Sequence, residues 1–286
     1  MDRRKLLLGL VTVPLLFGCS LDFLSQSKDP VDHSEENPTP QGNQHNEEEN
    51  QHDNNVDGNI DGNQNDNKNE GKIRLDAKYF NIIEVVNGLN VIQNTDNTLM
   101  LVNKQYSLPS DFTPSDLVIP NVKFSFGKMD IEKAYMRQVA ATAMEKMFRA
   151  AEQDGVYLFA VSGYRSYARQ DELFRAEVSR VGEEKAKEAV AYPGQSEHQT
   201  GLTMDISAES VNFLLTEEFE NTKEGKWLAD NAHKYGFILR YPKGKEAITG
   251  YKYEPWHFRY VGEEYATIIY ENQLTLEEFF EQAESI

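Results

Sequence analysis

The chain has 286 residues, with 29 basic and 47 acidic side chains, six histidines, one cysteine and a formal charge of -18. So acidic a balance argues against a nucleic-acid partner, because no basic patch is available to release phosphate counterions. A single cysteine, Cys19, excludes an internal disulfide, and a folded part of this size does not need one.

In chain order, Arg3, Arg4 and Lys5 precede an apolar run of 13 residues, Leu6 to Gly18, interrupted by Pro14. The run is too short to span a bilayer comfortably, so residues 1–19 read as an export signal. It closes Leu16-Phe17-Gly18-Cys19, which resembles the lipobox of bacterial lipoproteins. That resemblance implies lipidation of Cys19, which then becomes the mature N-terminus on the outer face of the cytoplasmic membrane. Residues 20–70 hold 13 acidic residues against Lys28 and Lys68, about -11 of the total charge, and almost no large apolar side chains. They lack the apolar surface to offset the entropy of ordering, which predicts a disordered linker. A coil of this length has an r.m.s. span of roughly 40 Å. His33, His45 and His52 fall in it at irregular spacing, as composition alone would place them.

Residues 71–286 carry nearly all the aromatics and fit one domain. Ile82–Val86 and Leu99–Val102 read as short strands, with turn signals at Asn87-Gly88 and Asp96-Asn97. From Asp130 to Gln153, Met136, Val139, Ala140, Ala143, Met144, Met147 and Ala151 recur at helical spacing as a core stripe. Val156–Val161 reads as a strand and Tyr167–Arg180 as a helix. Thr216–Tyr235 reads as a helix that Gly225 divides. Phe237–Arg240 and Trp256–Val261 read as strands, Gly262–Tyr270 and Leu276–Ala283 as closing helices. These elements do not alternate in regular βαβ units, which favours an α+β fold.

Outside the linker the histidines are His198, His233 and His257. His198 lies in Ser196-Glu197-His198-Gln199-Thr200-Gly201-Leu202-Thr203-Met204-Asp205. A strand from Leu202 would turn Thr203 and Asp205 to one side and Leu202, Met204 and Ile206 to the core. Gly201 would let the chain fold His198 back toward Asp205. His257 closes Glu254-Pro255-Trp256-His257, where Pro255 breaks strand alternation and re-aims Glu254. Two neutral imidazoles and a carboxylate suit zinc with a fourth position left for water, and Glu254 is a carboxylate to spare as general base. His233 falls in an amphipathic helix and reads as structural.

Taken together, Ser162-Gly163-Tyr164-Arg165-Ser166 with Gln170, then Ser-x-His ending at Asp205, then Glu-x-Trp-His resemble the VanY-like D-alanyl-D-alanine and LD-carboxypeptidases. Their zinc fold is shared with lysostaphin-type endopeptidases and hedgehog domains. The resemblance covers roughly residues 80–280. It departs at Thr203, where the family more often has alanine. It implies a small antiparallel sheet flanked by helices and one Zn²⁺ per chain on His198, Asp205 and His257. It also implies Glu254 as base, Arg165 as a catalytic donor, and Gln170, Ser196 and Trp256 at the substrate, a stem peptide of peptidoglycan ending in D-alanine. Removal of D-alanine from D-Ala-D-Ala is the leading expectation. The competing ones are the L,D bond of tetrapeptides, an endopeptidase of the same fold, and a zinc-stabilised module without catalysis.

Overall fold

The computed structural model describes residues 73–286. The expected signal segment, Cys19 and the acidic linker lie outside the described residues. The chain runs through β1 (Ile73–Leu75), β2 (Ile83–Val86), β3 (Leu89–Ile92), β4 (Tyr106–Ser107), β5 (Leu117–Val118) and β6 (Met136–Arg137) into α1 (Gln138–Gln153). Next come β7 (Phe159–Ser162), α2 (Tyr167–Val181), α3 (Glu183–Ala189), β8 (Thr203–Ser207), α4 (Lys223–Asn231) and β9 (Phe237–Leu239). It closes with α5 (Glu246–Thr249), β10 (His257–Tyr260), α6 (Glu263–Glu271), α7 (Leu276–Gln282) and β11 (Ala283–Ser285).

The sheet that matters for function has the order β7-β8-β10-β9 and is antiparallel throughout. With helices around it, this is the α+β arrangement expected. One face carries Met204, Ile206 and Phe258 into a core with Ala140, Met144, Met147 and Ala151 of α1. A second core joins Ile238 and Val261 to Ala266 and Ile269 of α6 and Leu276 and Phe279 of α7. Strand β1 pairs in parallel with β11, so the first described strand is zipped to the last.

Three expectations are corrected. Leu99–Val102 is buried but forms no ladder. Asn81 Nδ2 donates to the Leu101 carbonyl at 2.8 Å, and Arg259 Nη2 donates to the Thr98 and Met100 carbonyls at 3.1 and 2.8 Å. Side chains from elsewhere therefore satisfy a backbone that a strand partner would otherwise pair. The strand that follows Asn87-Gly88 is β3, joined to β2 by a two-residue turn with both central φ positive. The helix expected from Asp130 begins only at Gln138. Before it, the Lys133 and Tyr135 carbonyls accept from Gly163 and Tyr164, and Arg137 N–H donates to Gly201. Val139 is accordingly exposed rather than in the stripe. Gly225 does not divide the 216–235 region. It sits inside α4, its N–H donating to the Thr222 hydroxyl at 2.9 Å, and the break falls at the Thr222 cap.

Candidate active site

The site is assembled by strand register. In β8 and β10, Asp205 stands directly opposite His257 and Thr203 opposite Arg259, so these four share a face. Met204 and Phe258 form the pair between them and point to the core. At Gly201, φ is +67°, the left-handed conformation that ends the short turn Glu197–Thr200 and lets it fold onto the strand it precedes. His198 Nε2 thereby comes within 3.5 Å of Asp205 Oδ2. On the other side, the β7–β8 register slips between Ala160 and Ser162, and this irregularity brings Gly163 to the same place. The His198 Nδ1 hydrogen bond to the Gly163 carbonyl is 2.7 Å. Since a carbonyl only accepts, Nδ1 carries the proton and the Nε2 lone pair faces Asp205. Gly163 must be glycine: a Cβ would strike the Tyr135 carbonyl and come 2.9 Å from Met204 Cε.

His257 is approached from both ends. Its Nδ1 is 3.2 Å from Asp205 Oδ1 and 3.5 Å from Glu254 Oε2, and its Nε2 is 3.5 Å from Glu197 Oε2. Glu254 reaches Nδ1 because residues 254–257 form a turn, with His257 N–H donating to the Glu254 carbonyl at 3.1 Å, and Pro255 lies inside it. This is the break in alternation that the proline predicted.

Electrostatics separates the roles. Burial first, then Arg165, pushes His198 down to about 3, so this ring stays neutral. Burial also acts to lower His257, but its carboxylate neighbours Asp205 and Glu197 override it and bring the ring up to about 9. Burial would raise Asp205, yet His198, His257 and Arg165 hold it below the usual carboxylate range. Glu254 is pushed up to about 7, chiefly by burial, with Asp205 adding to it against His257 and Arg165.

Does this set fit a metal? His198, Asp205 and His257 each offer one donor atom, all within 4.8 Å of one another and all on buried residues. Asp205 Oδ1 is buried without any hydrogen-bond partner, although His257 Nδ1 lies 3.2 Å away. Surplus negative charge draws a proton onto His257, and a divalent cation would answer the same deficit while engaging the orphaned oxygen. Two imidazole nitrogens and one carboxylate oxygen are a donor set for Zn²⁺.

The remaining expected residues are placed as follows. Arg165 is half-buried, its guanidinium under the fields of Asp205 and Glu254, and burial is the main influence lowering its pKa. Gln170 is fully buried. Its Oε1 accepts from Arg165 Nη1 at 2.9 Å and its Nε2 donates to the Ala191 carbonyl at 2.7 Å, so it stands behind the arginine. Ser196 is buried at the start of the His198 turn, and Trp256 packs partly exposed against the main core. His233 is remote from the cluster, its ring stacked on Tyr270 at 3.7 Å.

Sequence reasoning missed Glu197, Arg240 and Arg259. All three are essentially inaccessible to solvent. Glu197 Oε1 accepts from Arg240 Nε at 2.8 Å and Arg259 Nη1 at 2.6 Å, and Glu277 takes the rest of Arg240. Burial would raise Glu197, but Arg259 and Arg240 hold it well below the ordinary range. The available signal was a glutamate wedged between two residues of one motif. A charged residue in that setting reads as solvent-facing until its partners, 43 and 62 positions away, are in view.

Comparison with known proteins places the chain among carboxypeptidases. A family model described as VanY, D-alanyl-D-alanine carboxypeptidase, matches residues 133–263. The YodJ protein of Bacillus subtilis (strain 168) is 60% identical over 212 residues, 74% of this chain and 77% of YodJ. A solved LdcB LD-carboxypeptidase, described for its peptidoglycan recognition, is 60% identical with a TM-score of 0.74, covering 75% of this chain and all of that one. A vancomycin-resistance D,D-pentapeptidase VanY solved in complex with Zn(II) is 35% identical, TM-score 0.52, covering 64% of this chain and 98% of that one.

Proposed function

Because the chain belongs to the VanY family of D-alanyl-D-alanine carboxypeptidases, we propose that it removes the C-terminal D-alanine of peptidoglycan stem peptides. His198, Asp205 and His257 would hold Zn²⁺, and Glu254 would serve as general base. The observation that carries the reading is Glu254. It is a carboxylate that burial brings to about 7, set 3.5 Å from one ring of a three-donor cluster without belonging to the cluster.

The bound ion would supply Lewis acidity toward the scissile carbonyl and make a water more acidic. Glu254 takes the attacking water's proton at a carboxylate oxygen and passes it to the leaving amine, and a pKa near neutrality suits both transfers. Arg165 offers fixed cationic donors where negative charge develops, and Gln170 keeps the guanidinium in place. The Ser196 hydroxyl and the Trp256 ring complete the substrate side in this reading, Ser196 as a donor for the terminal carboxylate.

Between the two bonds such an enzyme could cut, we favour the L,D bond of tetrapeptide stems over D-Ala-D-Ala. The support is that LdcB, an LD-carboxypeptidase, matches at 60% identity and TM-score 0.74, against 35% and 0.52 for the D,D-pentapeptidase. Mass spectrometry of purified tetrapeptide and pentapeptide stems after incubation with the protein tests both levels. Loss of one alanine from the tetrapeptide faster than from the pentapeptide supports the L,D reading, and the reverse order supports D,D. Internal cleavage insensitive to amidation of the terminal carboxylate would refute carboxypeptidase action altogether.

On the sequence alone we also place the enzyme outside the cytoplasmic membrane, anchored by lipid at Cys19 and spaced from it by residues 20–70. Cys19→Ser should release it from membranes or leave the precursor uncleaved. Retention at mature size would contradict the anchor.

A further inference from the structure

We propose that Glu197 is the positioning residue of the metal centre, its Oε2 accepting the Nε2–H of His257 and so turning the Nδ1 lone pair of that ring toward Asp205 and His198. The inference rests on the metal reading above and concerns what makes His257 a competent ligand. Glu197 Oε2 and His257 Nε2 are both buried, both lack any other hydrogen-bond partner, and face each other at 3.5 Å. Among the described residues each is the group placed to satisfy the other, and a buried polar atom left unmatched is costly.

The way Glu197 divides its two oxygens argues against a purely structural role. Glu277 uses both oxygens on one guanidinium, with Arg240 Nη1 at 2.8 Å and Nη2 at 2.7 Å. Glu197 instead concentrates two guanidiniums on Oε1, Arg240 Nε at 2.8 Å and Arg259 Nη1 at 2.6 Å. That leaves Oε2 aimed at the imidazole. The arginines are fixed in turn, Arg259 by the Thr98 and Met100 carbonyls and Arg240 by Glu277, which also accepts from Asn103 Nδ2 at 3.2 Å. Two carboxylates and two guanidiniums make this network neutral, so Glu197 can face His257 without an unanswered charge behind it. The two ligand rings are thus oriented by different acceptors. The Gly163 carbonyl accepts from His198 Nδ1–H, and Glu197 Oε2, 3.5 Å away, is the acceptor for His257 Nε2–H in this proposal. A carboxylate behind a ligating imidazole both fixes its tautomer and raises its basicity.

The test uses the full-length protein loaded with Zn²⁺. Long-range proton–nitrogen correlation spectra of the wild type should show His257 protonated at Nε2 and metal-bound at Nδ1, with His198 the reverse. In Glu197→Gln the guanidiniums only donate, so the amide must give them its oxygen and present its NH₂ to His257. The ring then has to accept at Nε2 and carry its proton at Nδ1, where the metal should be. Zinc affinity measured by chelator competition should fall by about 10–100-fold, the range for losing such a partner. Glu277→Gln removes the same charge from the same network without touching His257. It should lower the melting temperature while leaving zinc affinity near that of the wild type. Equal loss of affinity in the two variants, or His257 bound through Nε2 in the wild type, would overturn the proposal. If Glu197→Gln does not fold, the wild-type spectrum decides alone. A wild type that takes up no zinc would instead strike the function proposed above.

Discussion

One face of β8 and β10 carries Met204, Ile206 and Phe258 into a cluster with Met144 and Met147, while the other carries Thr203, Asp205, His257 and Arg259 into a layer of charges. All seven of these strand residues are buried. On the apolar face, burial is favourable in itself and roughly proportional to area, so neighbours are exchangeable if volume is kept. On the polar face every buried group costs free energy unless it meets a particular partner, so each contact has to be specific. The first face makes the domain stable and tolerates variation. The second gains little stability from its charges but gathers three donor atoms within 4.8 Å of one another, a set that could hold a cation.

The contrast breaks most sharply if a proposed ligand on the polar face proves dispensable. Asp205→Ala and His257→Ala should each lower zinc content and abolish peptide trimming, and chelation of the wild type should do the same. Full zinc occupancy in either variant would mean that the cluster is not the metal site. Glu254→Gln comes next. Turnover should drop by about 10²–10⁴-fold with zinc still bound, because in the proposed reading Glu254 is the general base and not a ligand. Near-normal turnover would move the base to another residue.

Met204→Ala tests the apolar face. It should destabilise the fold by about 2–5 kcal/mol, the range for truncating a buried methionine, while the folded fraction keeps its zinc affinity. Loss of zinc without loss of stability would show the two faces to be coupled. Thr203→Val asks whether specificity on the polar face is complete. The Thr203 hydroxyl is buried without a partner, so an isosteric apolar side chain should stabilise the protein by about 1 kcal/mol in urea titration. A lower midpoint would show that the hydroxyl has found a water.

The smallest expected effect lies at the edge of the apolar side. There His233 and Tyr270 line a hollow of about 510 Å³ that Phe258 and Leu239 also reach. Burial first, then Lys234, holds His233 below the ordinary value of 6.5. As pH falls past 6.5 the unfolded chain therefore takes up this proton before the folded one does. Stability should be level above that point with respect to His233 and should decline below it. His233→Gln should flatten the decline in melting temperature just below pH 6.5, and an unchanged profile would assign the slope to other groups.

Much of the candidate site was legible because its residues lie close together in short motifs. His198, Gly201 and Asp205 fall within eight positions, and Glu254 to His257 span a single turn, so local geometry alone brings each group together. Two of the elements that were misread failed for one reason, whereas the break expected at Gly225 falls instead at the local Thr222 cap. Leu99–Val102 has the composition of a strand, but its carbonyls are met by Asn81 and Arg259. The stretch before Gln138 has helical spacing, but Gly163, Tyr164 and Gly201 recruit its backbone. Periodicity reports which side chains are apolar and not which distant backbone group claims a given N–H or carbonyl.

The sequence by itself determined the chemistry: two imidazoles, a carboxylate and a second carboxylate beside a proline, in an order that carries its own turns. Tertiary structure decided the pairing. Only the antiparallel register of β8 and β10 sets Asp205 opposite His257, and only the fold brings Arg240 and Arg259 to a glutamate 43 and 62 residues away. A buried charge is tolerable only where its partners already stand. Whether Glu197 faced solvent or His257 was therefore a property of the assembled core and not of its place in the chain.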